Sequence, residues 1–152
     1  MIHGARYVHT NLVARDWRSL ADFYRSVLGC VIVPPERDLA GGGLEAGTGV
    51  AGAALRGVHL RLPGYESGGP TLEVFTYSTL ADGPPPAVNR PGFGHVAFAV
   101  PSVEHARAEV VAAGGSAVGE IVITPLADGR RVTWCYVTDP EGNVIELQRS
   151  DG

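Results

Sequence analysis

The sequence has little of the features that mark several broad classes of protein. Its 152 residues include only two cysteines and one methionine, and charged residues make up 18% of the chain. Two cysteines, Cys30 and Cys135, are too few for a disulfide scaffold or a thiolate zinc cluster. The formal net charge of -4 gives no electrostatic case for binding nucleic acid. No apolar run approaches the roughly 20 residues that a membrane-spanning helix requires.

The first residues also lack the apolar core of a signal peptide. The stretch MIHGARYVHTNLVARD instead has the pattern of a strand that leads into a helix. We therefore expect a cytoplasmic protein that binds neither nucleic acid nor a membrane. The hydrophobic content of 45% is enough for one compact unit, or for two small units that share a core.

Glycine and proline, by contrast, are abundant, with 21 and 11 residues respectively. Such a composition favours many short strands joined by turns over a helix bundle. The two residue types concentrate at 41–52, 63–70 and 82–92. The last stretch, DGPPPAVNRPG, contains three consecutive prolines that fit neither a helix interior nor a central strand. We therefore predict a linker at 82–92.

The two sides of this linker repeat one order of elements. Each begins with a β-rich run, at 7–13 and at 94–100, and continues into a segment with helical spacing of apolar residues. Asp16 and Ser102 stand where helix N-caps are expected, and glycines close both helical segments. Further strand-like runs follow each helix, at 31–33, 50–55, 58–62 and 71–77 in the first half and at 116–124, 131–138 and 143–148 in the second.

This order predicts an α+β fold of two βαβββ modules. Each module buries one sheet face beneath its helix and leaves the other face bare, so two bare faces side by side would form a cup-shaped mixed sheet with the helices outside. We expect residues 1–81 to form the first module, 82–92 the linker and 93–152 the second module, within one structural domain. The sequence leaves open whether the cup closes within one chain or across two.

Strand alternation predicts which side chains enter the cup, because successive residues point to opposite faces. Val8 and Leu12 are expected in the core, as are Leu72 and Val74. By the same alternation, the residues expected to face the cup are Tyr7, His9, Asn11, Thr71, Glu73, Phe75, Tyr77, His95, Val144, Glu146 and Gln148. Further candidates that alternate with apolar core positions are His59, Arg61, Trp134 and Tyr136.

Four members of this set are potential metal ligands, namely His9, Glu73, His95 and Glu146. Each lies on the first or last strand of its module, at matching positions of the repeat. Both glutamates stand between apolar residues, where a carboxylate is costly unless it is paired or coordinated. Two imidazoles and two carboxylates suit Zn, Ni, Co, Fe or Mn. We therefore predict one divalent metal ion per site.

Three segments of the sequence resemble the vicinal oxygen chelate superfamily, which includes glyoxalase I, methylmalonyl-CoA epimerase, extradiol dioxygenases and bleomycin or fosfomycin resistance proteins. These segments are VHTNLVARDWRSLADFYRSVLGC, NRPGFGHVAFAVPSVEHARAEVVAAGG and DPEGNVIELQ. The resemblance covers nearly the whole chain and is closest to the glyoxalase I and epimerase branch. It implies paired βαβββ modules, a divalent metal, a small-molecule substrate and a homodimer.

For this branch the resemblance implies a lyase or isomerase that stabilises an enediolate or enolate on the metal while a proton moves beside a carbonyl. The four candidate ligands fall on the ligand positions of the branch. Glu146 is implied to carry the proton, and Glu73 could do the same from the opposite face. Asn89 and Arg90 occupy the place where the family meets its thiol substrate. An arginine that helps glyoxalase I hold glutathione corresponds to Val13 here.

Two other functions stay open. An extradiol-type dioxygenase would hold Fe(II) with two histidines and one carboxylate, and Glu73 argues against it because a fourth protein ligand fills a place that substrate and oxygen need. A non-catalytic drug- or metabolite-binding protein of the resistance type needs apolar and aromatic walls but no metal. The four inward polar groups argue against that function.

Overall fold

The chain divides into two compact units, Met1–Asp82 and Gly83–Gly152. The computed structural model describes residues 3–151. The first unit contains β1 (His9–Val13), α1 (Trp17–Leu28), β2 (Val31–Ala40), α2 (Gly42–Thr48), β3 (Ala54–Arg61) and β4 (Thr71–Tyr77). The second contains β5 (Val96–Ala99), α3 (Val103–Ala112), β6 (Ser116–Pro125), β7 (Arg131–Thr138) and β8 (Val144–Asp151).

Each unit has one four-stranded mixed sheet, and the two sheets share a topology. The strand order is β1-β4-β3-β2 in the first unit and β5-β8-β7-β6 in the second. The first strand of each unit pairs in parallel with the last, and the other pairs are antiparallel. The predicted α+β fold of two βαβββ modules is confirmed.

Local sequence accounts for the bounds of α1. The Asp16 carboxylate accepts hydrogen bonds from the backbone N–H groups of Arg18 and Ser19, which have no partner inside the helix. Gly29 ends the helix with a positive φ of 72°, a conformation that costs glycine little. Both ends agree with the prediction from sequence.

The core of each unit lies between its helix and one face of its sheet. In the first unit, α1 buries Leu20, Ala21, Phe23 and Tyr24. The alternate sheet residues Val58, Leu60, Leu72 and Val74 are also buried. In the second unit the buried residues include Val103 and Val110 of α3 together with Cys135, Val137, Ile145 and Leu147. The opposite sheet face in each unit carries the candidate site residues.

The structure corrects four expectations of the first half. The runs 50–55 and 58–62 are not two strands, because β3 passes without a break from Ala54 to Arg61. The strand expected at 31–33 extends to Ala40. The glycine-rich stretch 41–52 contains the short helix α2. Val8, expected in the core, precedes β1 and is 62% exposed, because alternation has no meaning outside the strand.

No helix within residues 3–151 is long and apolar enough to cross a membrane.

Candidate functional site

The first unit gathers four polar side chains on the sheet face opposite α1. We call His9, Asn11, His59 and Glu73 the first cluster. Asn11 on β1 and His59 on β3 are both in register with Glu73 on β4, which lies between them. Residues in register on neighbouring strands point to the same face, so the sheet brings these side chains together.

Glu73 is the centre of the first cluster. Only 8% of the residue is exposed, although it carries a carboxylate. His59 Nε2 lies 3.1 Å from Glu73 Oε1, and His9 Nδ1 lies 3.5 Å from the same oxygen. The Asn11 side-chain amide donates to Glu73 Oε2 at 3.4 Å. A buried carboxylate is costly without partners, and these contacts supply them.

The surroundings of His59 favour the neutral imidazole. Burial lowers the pKa of His59, and the negative charge of Glu73 only partly opposes that shift. Its Nδ1 lies 3.4 Å from the Thr71 hydroxyl, which can donate a hydrogen bond to it. That assignment leaves the proton on Nε2, the nitrogen that faces Glu73.

The second unit gathers a smaller polar pair beside an aromatic wall. We call His95, Trp134, Tyr136 and Glu146 the second cluster. His95 Nε2 lies 3.1 Å from Glu146 Oε2. The rings of His95 and Tyr136 have centroids 5.0 Å apart, and Tyr136 meets Trp134 edge to face at 5.2 Å. Trp134 is oriented by its indole N–H, which donates to the Thr124 hydroxyl at 2.9 Å.

Glu146, Trp134 and Tyr136 line a cavity of about 310 Å³ in the second unit. Its other lining residues are Thr124, Leu126 and Val132. An apolar and aromatic wall beside one carboxylate is typical of a small-molecule site. Alternation along β7 predicted that Trp134 and Tyr136 share a face while Cys135 and Val137 are buried, and this is confirmed.

The two clusters occupy equivalent places in the repeat. Glu146 is in register with Tyr136, as Glu73 is with His59. On the parallel side Glu146 is in register with Ala97, as Glu73 is with Asn11. The imidazole–carboxylate pair is therefore repeated, but the two other partners of Glu73 are replaced by Tyr136 and Ala97.

The donor chemistry of both pairs fits a divalent metal ion. Two ligands about 2.1 Å from one ion, at an angle of about 90–110°, lie roughly 3.0–3.4 Å apart. The His9–Glu73 and His95–Glu146 separations of 3.5 and 3.1 Å are close to that range. Among residues 3–151, no group of three or more His, Cys, Asp or Glu side chains is positioned to hold an ion.

The other residues proposed for substrate binding are distributed more widely. Phe75 is buried, and its ring meets His59 at 5.8 Å. Arg61 follows His59 by two residues on β3, and Gln148 follows Glu146 by two on β8, so each shares a sheet face with its cluster. Asn89 and Arg90 are exposed in the loop before β5, where the Arg90 guanidinium donates to the Pro85 carbonyl oxygen.

Tyr77 belongs to a different cavity, which the sequence did not predict. This cavity, of about 440 Å³ in the first unit, is lined by Trp17, Asp38, Ala40, Ala54, Leu55, Arg56, Thr76, Tyr77 and Ser78. Tyr77 lies four residues beyond Glu73 on β4, about 13 Å along an extended strand. Sequence reasoning also missed Thr124, Leu126 and Val132, although alternation from Trp134 places Val132 on the same face.

The strand order and the repeated half-sites define the class of the protein, a chain of two βαβββ modules with an imidazole–carboxylate pair in each. The model of the Glyoxalase/Bleomycin resistance protein/Dioxygenase superfamily matches residues 6–147. The chain belongs to this superfamily, the vicinal oxygen chelate superfamily, whose members are typically metal-dependent. No curated protein sequence matches the chain.

Solved structures agree with this fold. A glyoxalase family protein from Bacillus cereus is 21% identical with a TM-score of 0.75, and the match covers 100% of this chain and 97% of that one. A superfamily member from Sphaerobacter thermophilus is 19% identical with a TM-score of 0.57, over 97% and 99% of the two chains. TioX from a Micromonospora species is 21% identical with a TM-score of 0.53, over 95% and 98%. At these identities the likeness concerns the fold alone.

Proposed function

We propose that the protein is a metal-dependent lyase or isomerase of the glyoxalase I type, which moves a proton beside a carbonyl group. The observation that carries this proposal is the repeated imidazole–carboxylate pair at equivalent register positions of the two units. In the proposal His9, Glu73, His95 and Glu146 together hold one divalent ion. The native metal is Zn, Ni, Co, Fe or Mn, and the protein is a cytoplasmic homodimer that acts on a small molecule.

The four proposed ligands determine the net charge of the site when an ion is bound. Neutral imidazoles contribute lone pairs without charge, and two carboxylates cancel the charge of a divalent ion. When bound, the ion would supply Lewis-acid polarisation of two adjacent substrate oxygens. A carbon–hydrogen bond beside a polarised carbonyl is more acidic, so a carboxylate can serve as the base.

Glu146 is the proposed base. Its side chain is 18% exposed and Glu146 lines the 310 Å³ cavity, so a substrate in that space can reach this residue. In this proposal Glu146 takes the proton from one carbon and returns it to its neighbour. Trp134 and Tyr136 exclude water from that space and contact the apolar part of the substrate. Asn11, Arg61, Phe75, Gln148, Asn89 and Arg90 are further proposed contacts.

The test begins with elemental analysis of the purified protein, before and after incubation with each candidate metal. Wild type is expected to hold one first-row ion per proposed site, while His9→Ala and His95→Ala lose it. The control is His105→Ala, because His105 is an exposed histidine on α3 with only a 4.0 Å contact to Glu109. Wild-type protein that retains no ion after reconstitution would refute the proposal.

A substrate panel then separates the candidate activities. The proposal predicts turnover of a hemithioacetal or exchange of the acidic proton in a CoA thioester, without oxygen uptake. Oxygen consumption with a catechol and Fe(II), unaffected by Glu73→Ala, would instead identify a dioxygenase.

The aromatic wall formed by Trp134 and Tyr136 also favours a non-catalytic binding protein as a second candidate. That function predicts ligand binding which survives both His9→Ala and His95→Ala.

A further inference from the structure

The two carboxylates of the proposed site differ in how firmly each is held. Glu73 has three polar neighbours within 3.5 Å, namely His9, Asn11 and His59. Among the residues that the structure describes, the Glu146 side chain makes its polar contact with His95. His59 is in register with Glu73 in the first unit, and Tyr136 is in register with Glu146 in the second. The difference between the two carboxylates therefore arises from single residues at equivalent positions of the repeat.

We infer that His59 is a positioning residue, which fixes the Glu73 carboxylate through its Nε2–Oε1 contact so that Glu73 stays in place while Glu146 is free to move. This inference rests on the proposed function, and it concerns the division of labour between the two glutamates. A fixed Glu73 acts as a permanent ligand, and Glu146 alone carries the proton. The site then has one mobile base rather than two.

Three observations support a positioning role for His59 over a ligand role. Its Nε2 is 3.1 Å from Glu73 Oε1, within hydrogen-bonding distance. That oxygen can only accept, so the contact requires the proton on Nε2 and leaves this nitrogen no lone pair for a metal, while the Thr71 hydroxyl, 3.4 Å from Nδ1, can donate to the other nitrogen. The Phe75 ring meets the imidazole edge to face, with centroids 5.8 Å apart, so one side of the imidazole has an apolar neighbour.

The arrangement follows a general pattern at metal sites. A group bonded to a ligand orients that ligand, and its removal typically costs about 10–100-fold in metal affinity or activity. The usual pattern is a carboxylate that orients a histidine ligand. Here the roles are reversed, and a histidine orients a carboxylate.

The first experiment measures the contact in metal-free protein. Thermal unfolding is recorded for wild type, His59→Phe, Glu73→Met and the double variant. Phenylalanine keeps the ring volume without the donor, and methionine keeps the chain length without the acceptor. Each single change is expected to lower the Tm by several degrees, and the double change by less than the sum. Additive shifts would overturn the inference.

The second experiment measures Co(II) affinity by titration of the visible absorption. His59→Gln retains an N–H group near the position of Nε2, so it is expected to bind within about threefold of wild type. His59→Phe is expected to bind about 10–100-fold more weakly, and His9→Ala to lose binding. His105→Gln is the matched control and should bind as wild type does. Equal affinities of the Gln and Phe variants would show that the N–H group of His59 does not contribute to metal affinity, and would overturn the inference.

The outcomes separate this inference from the proposed function. A loss in His59→Phe as complete as in His9→Ala would make His59 a ligand and overturn the inference alone. Wild type that binds no ion would refute the proposed function. In that case coupling between His59 and Glu73 in metal-free protein would still support the positioning contact, and its absence would refute that as well.

Discussion

Gly57 is the residue at which a single added methyl group is expected to do the most damage. It lies inside β3, in register with Phe75 on β4. A Cβ at this position would lie 2.0 Å from the Val74 carbonyl oxygen and 2.3 Å from Phe75 Cδ1. Ordinary contacts between carbon atoms lie near 3.5–4.0 Å. Because one clashing group is backbone, β3 and β4 must separate by more than about 1 Å to admit the methyl group.

The cost follows from what that separation breaks. Overpacking of a well-packed site costs about 1–3 kcal/mol, and each ladder hydrogen bond that is lost adds about 0.5–1.5 kcal/mol. With one ladder hydrogen bond lost, we therefore expect Gly57→Ala to lower the free energy of unfolding by about 1.5–4.5 kcal/mol. His59 lies two residues further along β3, so the same movement should also weaken its contact with Glu73.

Urea unfolding of metal-free protein, followed by circular dichroism, measures this effect. Gly43→Ala is the matched control, because Gly43 lies in α2 with nothing within 4 Å of an added Cβ. The same substitution there should stabilise the protein by about 0.5–1 kcal/mol. A Gly57→Ala protein within about 1 kcal/mol of wild type would show that the sheet yields at little cost, and the reasoning would be wrong.

Three further predictions concern the proposed base, a buried thiol and a helix cap. Glu146→Gln should lower turnover by about 100-fold or more, while its Co(II) affinity should stay within about tenfold of wild type. A loss of affinity equal to that of His9→Ala would instead make Glu146 a ligand only. Burial raises the pKa of the Cys30 thiol to about 11 from 9.0, so the folded state favours the protonated form. The free energy of unfolding should therefore fall as pH rises from about 9 towards 11, by less in Cys30→Ala, and equal slopes for the two proteins would contradict this. The sequence contains no lysine but has five tyrosines and a second cysteine, Cys135, so the contribution of Cys30 is taken from the difference in slope between wild type and Cys30→Ala. Asp16→Ala should lower the free energy of unfolding, measured in urea, by about 1 kcal/mol. Asp16→Asn should lower it much less, because asparagine also caps a helix. Equal losses for the two variants would exclude capping as the cause.

The helices and sheet faces could be predicted because their signals are local. Asp16 and Gly29 bound α1 through hydrogen bonds to residues no more than five positions away. The alternation of core and site residues in β4 needs only the period of a strand. The sequence therefore indicated correctly that Leu72 and Val74 belong to the core and that Glu73 points the other way.

Gly57 shows why other features could not be predicted. Arg56 and Gly57 fall between the two strand-like runs expected at 50–55 and 58–62, and glycine usually marks turns. The structure instead uses Gly57 inside β3, where the Phe75 ring and the neighbouring backbone leave no room for a side chain. That requirement comes from the partner strand, and a partner strand has no signal in the local sequence.

The same limit applies to the site. His59 was placed on the correct face, but its contact with Glu73 depends on the register of β3 and β4, which no local pattern specifies. The clustering of Asn11, His59 and Glu73 therefore became visible only in the folded sheet.

The parallel pairing of β1 with β4 also bears on how the protein is made. Asn11 and Glu73 are 62 residues apart in the chain, yet they meet in neighbouring strands. A ribosome adds about 5–20 residues per second, so a nascent chain carries His9 for roughly 3–13 seconds before Glu73 is added. The proposed ion, which would need both groups, could therefore be captured only after β4 has emerged and paired with β1.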